Sequence, residues 1–349
     1  MSAAIEMSAA PQFAELRGLV ATMLARGLGR NRRIRAIEHR PSSVRSSFAI
    51  EEVDVILDDG ELLRLVLKVL GSPGILANAR TAKPLFLHDP LREIELYQHI
   101  LADRPHLGTA MLYSTVVEPA HDRYWLLLER APGVGLERID DPEIWLDAAR
   151  WLARLHTELA PMVAYPSVPG VARLLRHDRD FVRMWMVRAQ SIVRAQNPLL
   201  PSDLWQGMDR LARRYDRVVD RLVAMPETVI HGEFHASNIV VRRGSGERRF
   251  CVVDWAMAAV GPHLLDLAAL LAGEADESRR HELALAYHAA LPEEVQERRE
   301  LPGFFEDLAY CRLHQAVQWL GWSPDASPPT YQAASWLGDV VRLAEELDF

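Results

Sequence analysis

The segment VIHGEFHASNIVV, Val229 to Val241, places two histidines, a glutamate and an asparagine between short apolar runs. It sits in a β-like island, Thr228 to Val253, inside an otherwise helical part of the chain. Such a segment is a metal site, a catalytic loop or a polar turn. On an extended backbone His231, Glu233 and His235 face the same side. That makes them a candidate triad for a first-row metal and the basis of a metal-dependent hydrolase. No further cluster of His, Cys or acidic ligands supports the triad. The H-x-E of zinc deaminases also needs a later P-C-x-x-C, and the two cysteines, Cys251 and Cys311, stand far apart.

The bulk of the chain narrows the class. With 349 residues it has material for two lobes or domains around a sizeable core. A hydrophobic share of 49% and a charged share of 25% are ordinary for a globular enzyme. The net charge of −8 argues against nucleic acid and anionic membrane as partners, since both need basic surface. Two cysteines are too few for a secreted disulfide scaffold, so the cytoplasm is the expected location. The N-terminus has no basic region followed by an apolar core and does not read as a signal peptide. The most apolar long stretch, Cys251 to Gly273, is interrupted by Asp254, Gly261-Pro262 and Asp266, which does not suit a membrane span.

Periodicity orders the elements. A helix over Pro11 to Gly27 precedes strands at Ile34 to Glu38, Phe48 to Leu57 and Leu62 to Leu70. The last two join through Asp58-Asp59-Gly60, a hairpin signal. A helix starts near Asp89-Pro90, where Asp caps and Pro fills the first turn. Strands at Ala110 to Val117 and Tyr124 to Glu129 follow, and Ala131 to Gly135 breaks the pattern. Beyond it, helices are expected over Pro142–Leu159, Leu174–Ala195, Pro201–Val223, Glu274–Ala290, Gly303–Leu320 and Tyr331–Leu347. The fold class is therefore α+β, a β-rich part followed by a mostly helical part.

Spacing now decides the opening question. Asn238 follows Glu233 by five positions, and Asp254 follows Asn238 by sixteen, in FCVVDW. Protein kinases carry an H-R-D-x-x-x-x-N loop and then a metal-binding Asp after the next strand. Asn238 and Asp254 are oxygen donors of the kind Mg²⁺ takes, placed at the ends of a hairpin. The chain resembles the aminoglycoside phosphotransferase and choline kinase family, whose motif is H-G-D-x-x-x-x-N followed by D-[FW]. The continuation GPHLLDLAALL, Gly261 to Leu271, is similar to that family's G-D-P-x-x-D-L-A element.

The resemblance covers the chain from about Ile34 to the C-terminal helices and implies a bilobal protein-kinase-like fold. Residues 1–130 would form a nucleotide-binding lobe, and residues 131–349 a helical lobe with catalytic loop and acceptor site. It implies a phosphotransferase using ATP or GTP with Mg²⁺ to phosphorylate a hydroxyl of a small molecule. Glu233 would be the catalytic base, Asn238 and Asp254 the metal ligands, and His231 and Asp266 structural supports of the loop. Lys68, in LRLVLKVL, would hold phosphates and be paired by Glu93 of REIELY, with Glu95 the rival partner. A lysine inside an apolar strand is costly unless paired, and its alternative is an outward-facing strand position. Leu128 to Ala131 would be the hinge that contacts the adenine through backbone groups, with Glu129 and Ala131 as its binding residues. The acidic C-terminus, RLAEELDF, is similar to tails that help hold polycationic acceptors.

Two departures stand out. The loop HRPSSVRSSF, 39–48, has no glycine to bring backbone N–H groups to phosphate; Ser42, Ser43, Arg45, Ser46 and Ser47 are its candidate substitutes. Glu233 replaces the family's Asp, keeping a carboxylate but adding roughly 1.5 Å of reach. The alternative function is accordingly a nucleotide-binding pseudokinase with impaired transfer.

Overall fold

Strict two-residue alternation builds the first part of the molecule. In the computed structural model, which describes residues 13–27, 33–43, 47–82, 84–196, 200–242, 250–274, 276–298, 300–322 and 330–349, helix α1 (Phe13–Gly27) leads into an antiparallel sheet. Its strands are β1 (Ile34–Pro41), β2 (Ala49–Leu57), β3 (Leu62–Val69), β4 (Leu112–Glu118) and β5 (Arg123–Glu129), in the order β1-β2-β3-β5-β4. Val53, Val55, Leu57, Leu65 and Leu67 bury one face of this sheet against Leu16 and Val20 of α1. The same alternation sends Lys68 to the opposite face, where it is buried. The expected Asp58-Asp59-Gly60 turn joins β2 and β3, with Gly60 at φ 89° and its N–H bonded to Leu57 O.

Between β3 and β4 lie α2 (Ala77–Ala82) and α3 (Pro90–Leu96), which continues in one wide turn, Tyr97–Leu101. Asp89 caps α3 by accepting the Leu91 N–H at 2.9 Å, and Pro90 occupies the first turn, where no N–H partner exists to lose. This cap fixes where the helix begins and so which turn faces Lys68.

The remainder is mostly helical: α4 (Pro142–Leu159), α5 (Arg179–Gln196), α6 (Ser202–Arg214), α7 (Asp216–Val223), α8 (Leu264–Leu271), α9 (Glu277–Ala289), α10 (Glu293–Arg298), α11 (Leu301–Trp322) and α12 (Thr330–Glu345). Short strands β6 (Val134–Gly135), β7 (Leu175–Arg176), β8 (Glu227–Ile230), β9 (Ile239–Val241), β10 (Phe250–Val252) and β11 (Ala259–Pro262) pair as two three-stranded sheets, β10-β9-β6 and β7-β11-β8. A β-rich part followed by a helical part is the order the sequence predicts.

Three local expectations change. The helix expected from Leu174 starts at Arg179, because Asp178 accepts the Phe181 N–H at 2.9 Å and Leu175–Arg176 pair with β11 instead. The helix expected over Pro201–Val223 is two helices meeting at Tyr215, whose hydroxyl bonds His314 Nδ1 at 2.7 Å. The β-like island divides between both small sheets rather than forming one hairpin. No helix among the described residues is long and apolar enough to cross a membrane.

The junction of β7 and α5 yields a pH prediction. His177 is buried there, stacked on Phe181 with ring centroids 4.3 Å apart, and burial lowers its pKa from 6.5 to about 4. The unfolded chain binds the proton first, so stability is lost as pH falls from 6.5 toward 4. The loss reaches on the order of 2–3 kcal/mol. His177→Phe removes this contribution, and its melting temperature should fall by a few degrees less than wild type between pH 7 and pH 4.5.

Candidate active site

Lys68, Glu93 and Asp254 come from β3, α3 and the turn after β10, and they meet. Lys68 Nζ donates to Glu93 Oε1 and Oε2 at 2.8 and 2.7 Å and to Asp254 Oδ1 at 2.7 Å. Glu95, the rival partner, pairs with Arg173 at 3.2 Å instead. Burial works to lower the lysine's pKa, but Asp254 and Glu93 outweigh it and raise it above the ordinary value. Lys68 is therefore charged. Two carboxylates share its single ammonium.

The backbone is shaped to this cluster. Asp254 adopts φ 66°, rare for a residue with a side chain, and the next N–H, of Trp255, donates to Glu93 Oε1 at 3.1 Å. Arg92, buried beside Glu93, donates to the carbonyls of Leu87 and Ala256 at 2.9 Å and of Arg173 at 3.2 Å. It pins α3 to the segment that carries Asp254. Nothing in the sequence marks Arg92 for this role except its place next to Glu93 in REIELY.

The segment 231–238 is a loop held from within and from below. His231 Nε2 faces the Val253 carbonyl at 3.0 Å, so it donates, and Nδ1 accepts the Glu233 N–H at 3.2 Å. Both ring nitrogens are thereby used in the neutral form, and burial lowers this residue's pKa in agreement. A metal triad of His231, Glu233 and His235 loses its first ligand. Among the described residues no group of three or more His, Cys, Asp or Glu is arranged to hold a metal ion. Asp266, fully buried at the start of α8, accepts the N–H groups of His231 and Gly232 at 2.6 and 2.9 Å and faces His156 Nε2 at 3.2 Å. Burial opposes its charge, but His156 and the loop hold its pKa below the usual carboxylate value.

Gly232 is at φ 83°, and a Cβ there would lie 2.3 Å from Met257 O. Gly232→Ala should lower stability by on the order of 1–3 kcal/mol, read from chemical denaturation.

Asn238 Nδ2 donates to Glu233 O at 2.9 Å, which leaves the amide oxygen as a hard donor. Asn238 O accepts the Val253 N–H at 3.0 Å, and Ile239 pairs with Val252. Asn238 and Asp254 thus stand at the same end of the β9–β10 hairpin. These two hard oxygen donors fit Mg²⁺. The Glu233 side chain is half-buried and lines a cavity of about 230 Å³ with His235, Gln315, Gln318, Trp319 and Trp322. Gln315 and Gln318 were not singled out in the sequence, where polar residues on a helix read as a solvated face.

At the proposed hinge, the Glu129 N–H goes to Met111 O at 2.8 Å, and its carboxylate pairs with Arg242 at 3.0 Å. No hydrogen bond among the described residues uses the backbone N–H of Ala131. In the 39–48 loop, Ser42 donates to Glu52 at 3.4 Å, Ser43 is exposed and Ser47 O accepts the Leu76 N–H. Arg45 and Ser46 lie outside the described residues.

The sequence pattern of the phosphotransferase enzyme family matches residues 53–301, which span β3, α3, the loop and Asp254. No curated protein matches the sequence significantly. Among solved structures, the microcompartment-associated aminopropanol kinase has a TM-score of 0.61 at 17% identity, over 94% of this chain and 96% of that one. A choline/ethanolamine kinase family protein from Mesorhizobium loti has a TM-score of 0.54 at 16% identity, over 96% and 95%. The GDP complex of wild-type aminoglycoside 2'-phosphotransferase-IIIa has a TM-score of 0.55 at 14% identity, over 97% and 100%. At these identities the likeness establishes the fold, bilobal and protein-kinase-like.

Proposed function

The chain belongs to the phosphotransferase enzyme family, and from that premise we propose that it moves the γ-phosphoryl group of ATP or GTP to a hydroxyl of a small molecule. The observation that carries this reading is the buried contact of Lys68 with both Glu93 and Asp254, beside a loop that presents Glu233 and Asn238.

Each residue takes one role. Lys68, oriented by Glu93, binds phosphate oxygens. Asn238 and Asp254 would hold Mg²⁺ through their side-chain oxygens, and the bound ion would supply positive charge against the phosphates. Backbone groups of Glu129 and Ala131 hold the base of the nucleotide. Glu233 aligns the acceptor hydroxyl and takes its proton. His231 and Asp266 hold the loop and touch no substrate. Residues 1–130 supply the nucleotide side and residues 131–349 the acceptor side of this division of labour.

A nucleotide-binding protein without transfer is the second reading, favoured by the extra methylene of Glu233. The two separate on one assay. Nucleoside diphosphate release with ATP or GTP, Mg²⁺ and a panel of hydroxylated small molecules should rise with at least one acceptor and stop when Mg²⁺ is chelated. Stabilisation by Mg-nucleotide with no acceptor-dependent release selects the second reading.

A further inference from the structure

Behind the loop, two histidines share one tyrosine hydroxyl. Tyr287 of α9 is fully buried, and its hydroxyl oxygen lies 2.8 Å from Nδ1 of His156 in α4 and 2.7 Å from Nδ1 of His263, between β11 and α8. The other nitrogen of the His156 ring, Nε2, faces Asp266 Oδ2 at 3.2 Å. Asp266 in turn accepts the His231 and Gly232 N–H groups at 2.6 and 2.9 Å. An unbroken hydrogen-bonded chain therefore runs from His263 through Tyr287 and His156 to Asp266, and ends on the backbone that carries Glu233.

Counting protons fixes its direction. A tyrosine hydroxyl has one hydrogen to give, and a neutral imidazole has one N–H and one lone pair. Asp266 is held below the usual carboxylate pKa and only accepts, so the hydrogen between it and His156 sits on Nε2. His156 Nδ1 is then a lone pair and takes the Tyr287 hydrogen. The Tyr287 oxygen is left to accept, so His263 Nδ1 donates to it. Burial raises the pKa of Tyr287 and lowers that of His263 to about 3, so the first keeps its proton and the second stays neutral. The remaining lone pair, on His263 Nε2, is not sealed in the core, since His263 is only partly buried and lines a cavity of about 410 Å³. The reverse direction would set a His156 lone pair against the Asp266 carboxylate, or put a second proton on a ring that is 3% exposed.

We propose that Tyr287 is a positioning residue for transfer: its hydroxyl selects the Nε2–H tautomer of His156, and His156 in that form holds Asp266 and so the loop that carries Glu233. The hydrogen bond at one ring nitrogen sets which nitrogen carries the proton. In Tyr287→Phe the ring still fills its place, but the His156 hydrogen is free to move to Nδ1, and a lone pair then faces Asp266. The effect on rate rests on the phosphotransferase reading above; the effect on the loop does not.

The test is a double-mutant cycle with two readouts that need no activity. Tyr287→Phe should lower kcat with the best acceptor of the panel by about 10–10²-fold and leave binding of Mg-nucleotide within about twofold, because Lys68, Asn238 and Asp254 are untouched. His156→Gln places an amide N–H where Nε2–H stood and has no tautomer to select. In that background Tyr287→Phe should cost less than about twofold, whereas a hydroxyl that serves only packing costs the same in both. Nitrogen-15 NMR of the wild type should show His156 protonated at Nε2 alone and His263 at Nδ1 alone. Exchange of the His231 and Gly232 amides should quicken by about 2–10-fold in Tyr287→Phe.

A doubly protonated or Nδ1–H His156 in the wild type, or an equal loss in both backgrounds, overturns the proposal. So do a His156 tautomer and amide exchange that Tyr287→Phe leaves unchanged. The stated tautomers and quickened exchange, with no transfer by the wild type, refute the phosphotransferase reading and leave the hold on the loop standing. If either variant does not fold, the wild-type tautomers decide, since only one pair is allowed.

Discussion

If the proposed function holds, replacing Glu233 with Gln should lower phosphoryl transfer by about 10²–10⁴-fold and should leave stabilisation by Mg-nucleotide unchanged. Gln keeps the length and shape of the side chain but cannot accept the proton. The loop keeps its form, because its anchors are the backbone bonds to Asp266, the His231 ring and the Asn238 amide, none of which uses the Glu233 carboxylate. Those anchors also fix the outcome for Glu233→Asp. The loop cannot advance to make up the lost methylene, so a carboxylate drawn back by more than about 1 Å costs on the order of 10²-fold. A large gain from Glu233→Asp would instead mean that the loop stands where an aspartate belongs and that the natural glutamate is a defect.

Lys68→Met has the largest expected effect on stability and a comparable one on transfer. The substitution leaves Glu93 buried with its Trp255 N–H bond but no counter-charge. Breaking a buried pair this way costs about 3–5 kcal/mol. Burial, with Asp254 adding to it, already pushes the Glu93 carboxyl above its ordinary value of 4.5. A carboxyl raised in the folded state contributes stability below its unfolded pKa and loses it as pH rises through the folded value. The deficit against wild type should therefore be larger at pH 8 than at pH 5 in urea denaturation. Lys68→Met/Glu93→Gln, which removes the stranded charge and keeps an acceptor for Trp255 N–H, should recover much of it. Transfer stays down by about 10²–10³-fold in both variants, since neither restores the phosphate contact.

What the sequence disclosed depended on how local the signal was. The hairpin at Gly60, the Asp89 cap and the helix Pro142–Leu159 were legible because a turn residue or a cap sits beside a clean period. The pairing of β7 with β11 was not, since two-residue strands have no period and their partner lies more than 80 positions away. The break at Tyr215 was hidden for a related reason: both helices share one apolar stripe, and the bond to His314 is set by tertiary packing. In the site, spacing and resemblance named Lys68, Glu93, Asn238 and Asp254, and the structure brings the first two together with Asp254. Arg92 and Gln315 escaped because their meaning is three-dimensional. A buried guanidinium on three carbonyls and an unpaired amide oxygen look like surface residues until the chain is folded.

The central claim is that the loop carrying Glu233 performs transfer. The most direct measurement follows γ-labelled ATP and GTP with Mg²⁺ and a panel of hydroxylated small molecules, wild type beside Glu233→Gln. The account predicts acceptor-dependent label transfer by the wild type, reduced by about 10²–10⁴-fold in the variant, with equal nucleotide binding by both. Equal nucleotide binding with no transfer by the wild type, or transfer that is undiminished in Glu233→Gln, would contradict it.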